Sequence, residues 1–143
     1  MRVQFDIPGK PFAKQRPRAT ARGGFARVYT PKETVSFERV VGQIAAPLFA
    51  APIVGPVRLT IVAVFEPPPS WSKKKRAAHL HRPHLQKPDL DNCAKAIKDA
   101  LNRIAWGDDA QVSEMHVSKV WGNRASTAVW VEAIEDQQLV AAE

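Results

Sequence analysis

The sequence holds one cysteine, Cys93, in 143 residues. It has no partner for an internal disulfide and no CxxC pair for zinc, so stability must come from packing, within the chain or against a second subunit. No stretch reaches the roughly 18 uncharged apolar residues that a membrane span requires. The opening MRVQFDIPGK lacks the continuous apolar run of a secretion signal, so the cytoplasm is the default expectation. There is no internal repeat, and no low-complexity segment beyond Pro67 to Pro69.

Acidic residues are scarce or missing in two long stretches. Residues 1–32 hold eight Lys/Arg against the single acid Asp6, and residues 71–87 hold six Lys/Arg and three His with no acid. Residues 88–143 invert this, with ten acids against five bases, inside a formal net charge of +7. A solvated surface ordinarily mixes the signs. Two basic stretches beside an acidic one suggest a polyanion, nucleic acid above all, held next to a carboxylate cluster. Loops kept basic for solubility are the plain alternative.

What is present describes one ordinary globular domain over 1–143, with 45% hydrophobic and 24% charged residues. Val3, Phe5 and Ile7 alternate with Gln4 and Asp6, the period of a half-buried strand. A basic hairpin or loop containing Gly23-Gly24 then leads to a short strand around Phe25 to Tyr29. Thr30 as N-cap, Pro31 at the first helical position and Glu33 closing a capping box open a helix. Its buried face is Phe37, Val40, Val41 and Ile44, and it ends before Pro47.

Val57 to Phe65, β-branched and apolar on both faces, reads as a central strand. Residues 67–88 read as a basic, Pro-rich loop too polar to pack. A second helix follows from about Leu90 to Ala105, with Leu90, Ala94, Ile97, Leu101 and Ile104 as its buried stripe. Strands over Val112 to Trp121 and Thr127 to Ile134 are joined by a hairpin turn at Gly122 to Ser126, and 136–143 is a frayed tail. The expected fold is α/β (α+β), a mixed sheet of about five strands with two main helices packed on it.

The acids gather around the second helix. At 100° per residue Asp91, Lys95, Lys98, Asp99 and Asn102 lie away from the apolar stripe, and Asp91 and Lys95 are one turn apart. Asp89 stands at the helix start, and Asp108 and Asp109 enter the next strand. Each has a bland reading: Asp89 as an N-cap, Asp91 with Lys95 as a surface pair, Gly107-Asp108-Asp109 as a turn. Together they are what phosphodiester hydrolysis needs. Magnesium prefers a few carboxylates plus waters and phosphate oxygens, and a nearby lysine stabilises charge growing on the phosphoryl group. An EF-hand is excluded, because Cys93 and Ala94 occupy positions where a ligand and a glycine belong.

KPDLDNCAKAIKDALNRIAWGDDAQV, Lys87 to Val112, resembles the signature of the RusA-type Holliday junction resolvases, endodeoxyribonucleases of bacteria and their prophages. The pattern is Asp89-x-Asp91-Asn92, Lys95 four residues on, Asp99-Ala100-Leu101, and Asp108-Asp109-x-Gln111-Val112. KQRPRATARGG and YTPKETVSFE are similar to the basic N-terminal loop and first helix of one branch of the family, so the likeness loosely covers most of the chain. The resemblance implies Asp89, Asp91 and Asp109 as metal-binding acids for Mg2+ or Mn2+, Asp108 as a helper, and Lys95 as the catalytic lysine. It also implies a homodimer that nicks four-way junction DNA symmetrically, with no membrane and no small-molecule cofactor. Some members carry a run of arginines before the first Asp; here HLQKP stands in its place and the lysine run comes earlier.

The candidate phosphate contacts are Lys14, Arg16, Arg18, Arg22, Lys73, Lys74, Lys75, Arg76 and Lys87. His79, His81 and His84 read as part of the basic loop, since no Cys or acid completes a ligand set. Trp71 and Trp106 suit either stacking on unpaired bases or anchoring loop and core, and Cys93 suits packing.

Overall fold

The computed structural model describes residues 1–14 and 31–135, and the backbone alone at 18–20 and 27–29. Thr30, the Gly23-Gly24 pair, Arg16, Arg22 and the tail 136–143 lie outside the described residues. The elements run β1 (Arg2–Pro8), β2 (Arg18–Thr20), β3 (Arg27–Tyr29), α1 (Lys32–Ala45), β4 (Val57–Phe65), α2 (Lys73–His79), α3 (Leu90–Leu101), β5 (Val112–Trp121) and β6 (Ser126–Ala133).

The main sheet has four strands in the order β1-β6-β4-β5, and β2 with β3 forms a separate two-stranded ribbon. This corrects the single sheet of about five strands. β4 is central as its composition requires, parallel to β5 and antiparallel to β6. Only one of its faces is fully buried: Val57, Leu59, Ile61, Ala63 and Phe65 point into the core, while Arg58, Thr60, Val62 and Val64 are half-buried.

β5 and β6 do not pair, so Gly122 to Ser126 is not a hairpin turn. β4 lies between them, and the connection passes over its end, where Gly122 N–H donates to the Phe65 carbonyl at 2.9 Å. A Cβ on Gly122 would meet Val64 Cγ1 at 2.4 Å, so only glycine allows this close passage.

α1 and α3 pack on the same face of the sheet, their Val41, Ala45, Ala94, Ile97, Ala100 and Leu101 meeting Phe5, Ile7, Leu59, Ile61, Val129 and Val131. In α1 Pro31 is itself the N-cap, one residue later than expected and with no side-chain cap bond, and the Thr30 half of the expected capping box lies outside the described residues. Thr34 joins Val41 and Ala45 on the buried face, and Val40 is 42% exposed.

α3 ends four residues earlier than expected. Asn102 leaves helical geometry with ψ 131°, Arg103 takes φ 71°, and a tight turn delivers Ala105 and Trp106 into the core. Leu90 is exposed, and Cys93, Ala96 and Ala100 fill the stripe instead.

Residues 67–88 are not one loop. Ser72 caps α2 through the Lys75 N–H at 3.1 Å, and the segment after α2 runs along the end of β5. His81 N–H donates to the Trp121 carbonyl, Trp121 N–H to that of Arg82, and His84 N–H to that of Lys119. Trp71, Phe65, His84 and Trp121 form an aromatic cluster, with His84 stacked on Phe65 at 3.9 Å and buried. Polar sequence packs here because backbone bonds and four rings supply what aliphatic side chains do not.

Candidate active site

α3 carries its polar side toward a cavity of about 220 Å³ lined by Asp91, Ala94, Lys95, Lys98, Asp99, Asp109 and Met115. Asp91, Lys95 and Lys98 fall near one line on the helix, at i, i+4 and i+7. Asp109 comes from beyond the turn and Met115 from β5, so the cavity joins segments that the sequence separates.

Asp109 is held from behind. The buried indole of Trp106 donates from Nε1 to Asp109 Oδ1 at 2.9 Å. Trp106 is therefore a core residue and not a base-stacking one. Asp108 caps the 3-10 turn Asp109–Gln111 through the Ala110 N–H at 2.9 Å. Gln111 Oε1 accepts from Gly107 N–H at 2.9 Å and Asp108 N–H at 3.0 Å, while its Nε2 donates to the carbonyls of Ile53 and Gly55. The Asp-Asp-x-Gln pattern is thus a capping box bolted to the chain before β4. Asp108 spends one oxygen on that cap and does not line the cavity.

Asp89 is the N-cap of α3 by position, but its carboxylate makes no cap bond. Its Oδ1 accepts from Lys87 Nζ at 2.9 Å in an exposed pair, and it is not among the residues lining the cavity. The backbone before it is held by Lys119 of β5, whose Nζ donates to the carbonyls of Gln86 at 2.6 Å and Pro88 at 2.5 Å. Lys119 was not among the sequence candidates, since a lysine in an amphipathic strand carries no motif.

Lys95 does not pair with Asp91. Its Nζ lies 3.5 Å from Asp99 Oδ2, which also takes Lys14 Nζ at 3.1 Å. Lys14 further reaches Glu38 at 3.4 Å and is only 18% exposed, so it sits in a clasp between α1 and α3 and not on an open basic face. Burial lowers the Lys14 pKa, but Asp99 and Glu38 together outweigh it and raise the group above its ordinary value. Burial, the largest influence, pushes the Cys93 thiol up, which fits a packing role against Ala63, Phe65 and Trp121.

Among the other candidates, Lys73 and Lys74 are exposed on α2. Lys75 lies over the Trp71 ring at 4.3 Å, and Arg76 donates to the carbonyls of Pro67 and Pro68. Arg18 pairs through its backbone with Tyr29, and its side chain lies outside the described residues. His79 Nδ1 meets the Lys75 carbonyl at 2.7 Å, and His81 is exposed.

Among the described residues no group of three or more His, Cys, Asp or Glu stands together closely enough to hold a metal ion. The donor chemistry nonetheless fits magnesium or manganese. Asp91 and Asp109 share one cavity, and two carboxylates completed by waters and phosphate oxygens are how such a hard cation is commonly bound.

The Uncharacterized protein YqaN of Bacillus subtilis (strain 168) is 34% identical over 139 residues, spanning 92% of this chain and 96% of that protein. The family model for Endodeoxyribonuclease RusA matches residues 8–132, which take in β4, β5 and nearly all of β6, the clasp at Lys14 and the whole cavity, while β1 lies almost entirely before the match. The chain belongs to the endodeoxyribonuclease RusA family.

Proposed function

We propose that the chain is a magnesium-dependent endodeoxyribonuclease that resolves four-way DNA junctions by paired symmetric nicks, with manganese as an alternative ion. The observation that carries this reading is the shared cavity of Asp91, Asp109 and Lys95. Asp91, Asp109 and Asp89 would hold the ion, Asp89 after exchanging Lys87 for it. When bound, the ion neutralises phosphate charge and lowers the pKa of a water. Lys95 offers its ammonium to the oxygen on which negative charge grows. Water adds to phosphorus, the bond from phosphorus to the 3′ oxygen breaks, and that oxygen takes a proton, leaving a 5′-phosphate and a 3′-hydroxyl. Asp108 and Gln111 keep Asp109 in place through the capping box.

The substrate preference rests on family membership and on charge. A twofold junction cut at two related points suits a homodimer with one site per subunit. The basic residues of 16–27 and of α2 would hold phosphates without reading sequence.

The test is cleavage of a synthetic four-way junction beside linear duplex and flap controls, with magnesium or EDTA. Paired symmetric nicks in the junction, lost in EDTA and in Asp91→Asn, are expected. Equal cutting of linear duplex would overturn the junction preference. Junction binding with no cutting under any divalent ion would leave a binding protein whose acids are structural.

A further inference from the structure

Asp99 stands where helix energetics do not favour an acid. It lies in the last turn of α3, the negative end of the helix dipole, and its partner Lys95 precedes it by four residues, the weaker order for an ion pair. Its carboxylate is 22% exposed, lines the cavity, and lies near two ammonium groups, Lys95 at 3.5 Å and Lys14 at 3.1 Å. Local stability does not account for an acid so placed, whereas holding two lysines does.

What those lysines belong to gives the placement its consequence. Lys95 faces the cavity with Asp91 and Asp109. Lys14 ends the described N-terminal segment and leads into the basic residues 16–27. That segment is welded to both helices: Phe12 stacks on Phe37 of α1 at 4.6 Å, Lys14 N–H donates to the Asn92 carbonyl at 2.9 Å, and Lys14 Nζ reaches Glu38.

We propose that Asp99 is a positioning residue that serves both functions of the site, aiming the Lys95 ammonium into the cavity and fixing the root of the basic N-terminal segment against α3. The inference rests on the nuclease reading for the Lys95 arm and on DNA binding alone for the Lys14 arm. A carboxylate shared in this way links DNA held by the basic segment to the reacting phosphate at Lys95.

The experiment is a pair of double-mutant cycles on the full chain. The turnover rate is read at saturating junction, and the dissociation constant is read separately in EDTA, with circular dichroism and thermal melts confirming folding. Asp99→Asn is expected to lower turnover about ten- to a hundredfold, the usual consequence of a misplaced catalytic group. It is also expected to weaken junction binding. In the Lys95→Met background the same change should alter turnover by about twofold at most, and in the Lys14→Met background it should alter binding no further, because groups acting through one another are not additive. Asp99→Glu, which keeps the charge, should recover part of both losses.

Full additivity in both cycles, or wild-type turnover and binding in Asp99→Asn, would overturn the proposal. Asp99→Asn that loses turnover equally with and without Lys95 would make Asp99 an independent participant. A wild-type chain that binds junctions but never cuts them would defeat the nuclease reading, while the EDTA binding cycle would still decide the hold of Asp99 on Lys14.

Discussion

The indole N–H of Trp106, fully buried under the sheet, donates to Asp109 Oδ1 at 2.9 Å. A core residue therefore aims an acid of the candidate site, and packing and chemistry separate by substitution. Asp109→Asn keeps an acceptor for the indole, so its melting temperature should stay near that of the parent while magnesium-dependent nicking is lost. Asp109→Ala leaves the N–H unpartnered and should cost about 1 to 3 kcal/mol in a denaturant titration. Equal stability of the two variants would remove the indole from this role.

Lys119 holds the chain just before Asp89 through the Gln86 and Pro88 carbonyls. Lys119→Met removes both bonds and should cost on the order of 2 kcal/mol, since hydrogen bonds to a charged group are worth more than neutral ones. Hydrogen exchange should quicken at residues 81–89 before it does in β4. Unchanged exchange there would show that the bonds along the edge of β5 suffice.

Asp108 caps a 3-10 turn and does not line the cavity. Asp108→Ala should lower stability by about 1 kcal/mol, the usual loss for a cap. Nicking should fall much less than in Asp91→Asn. If both variants lost activity equally, Asp108 would be a ligand and not only a cap.

His84 supplies a pH dependence. Burial first, then the Lys119 and Lys10 ammonium groups, lower its pKa below the ordinary 6.5. The folded chain holds a neutral imidazole stacked on Phe65, while the unfolded chain takes up a proton at the ordinary value. Its contribution to stability is therefore complete above about pH 6.5 and is lost as the pH falls through the lowered folded value. Urea midpoints of the wild type and His84→Phe, followed from pH 8 to 5, should diverge only below pH 6.5, with the wild type losing more.

Lys73 and Lys74 are exposed on α2, where phosphate contact would release counterions. Replacing both by alanine should weaken junction binding and make the slope of log affinity against log salt shallower by about 2. An unchanged slope would place the DNA elsewhere.

The legible parts of the fold were those with a strong local period. Val57–Phe65 and Val112–Trp121 have the expected bounds, and α3 begins at the expected Leu90. Its end was misjudged because Ile104 continues the three-and-four spacing, although the chain has already left the helix at Asn102. The packing of 81–84 was illegible, since edge pairing uses backbone groups that every residue carries.

For the candidate site, the carboxylates and Lys95 were visible as residue types at a recognisable spacing. The distant partners were not: Lys14 meets Asp99 across 85 positions of sequence and Lys119 reaches Pro88 across 31, and no local pattern marks such contacts.

The sequence by itself determined that one amphipathic helix would carry acids and a lysine on a side distinct from its apolar stripe, because that follows from 100° of turn per residue. Tertiary structure alone decided that β4 would come between β5 and β6, with Gly122 passing over Val64, and that Asp91 and Asp109 would face one cavity while Asp89 turned to Lys87. Strand order and side-chain partnership depend on which surfaces bury one another best, a property of the whole chain that no short segment contains.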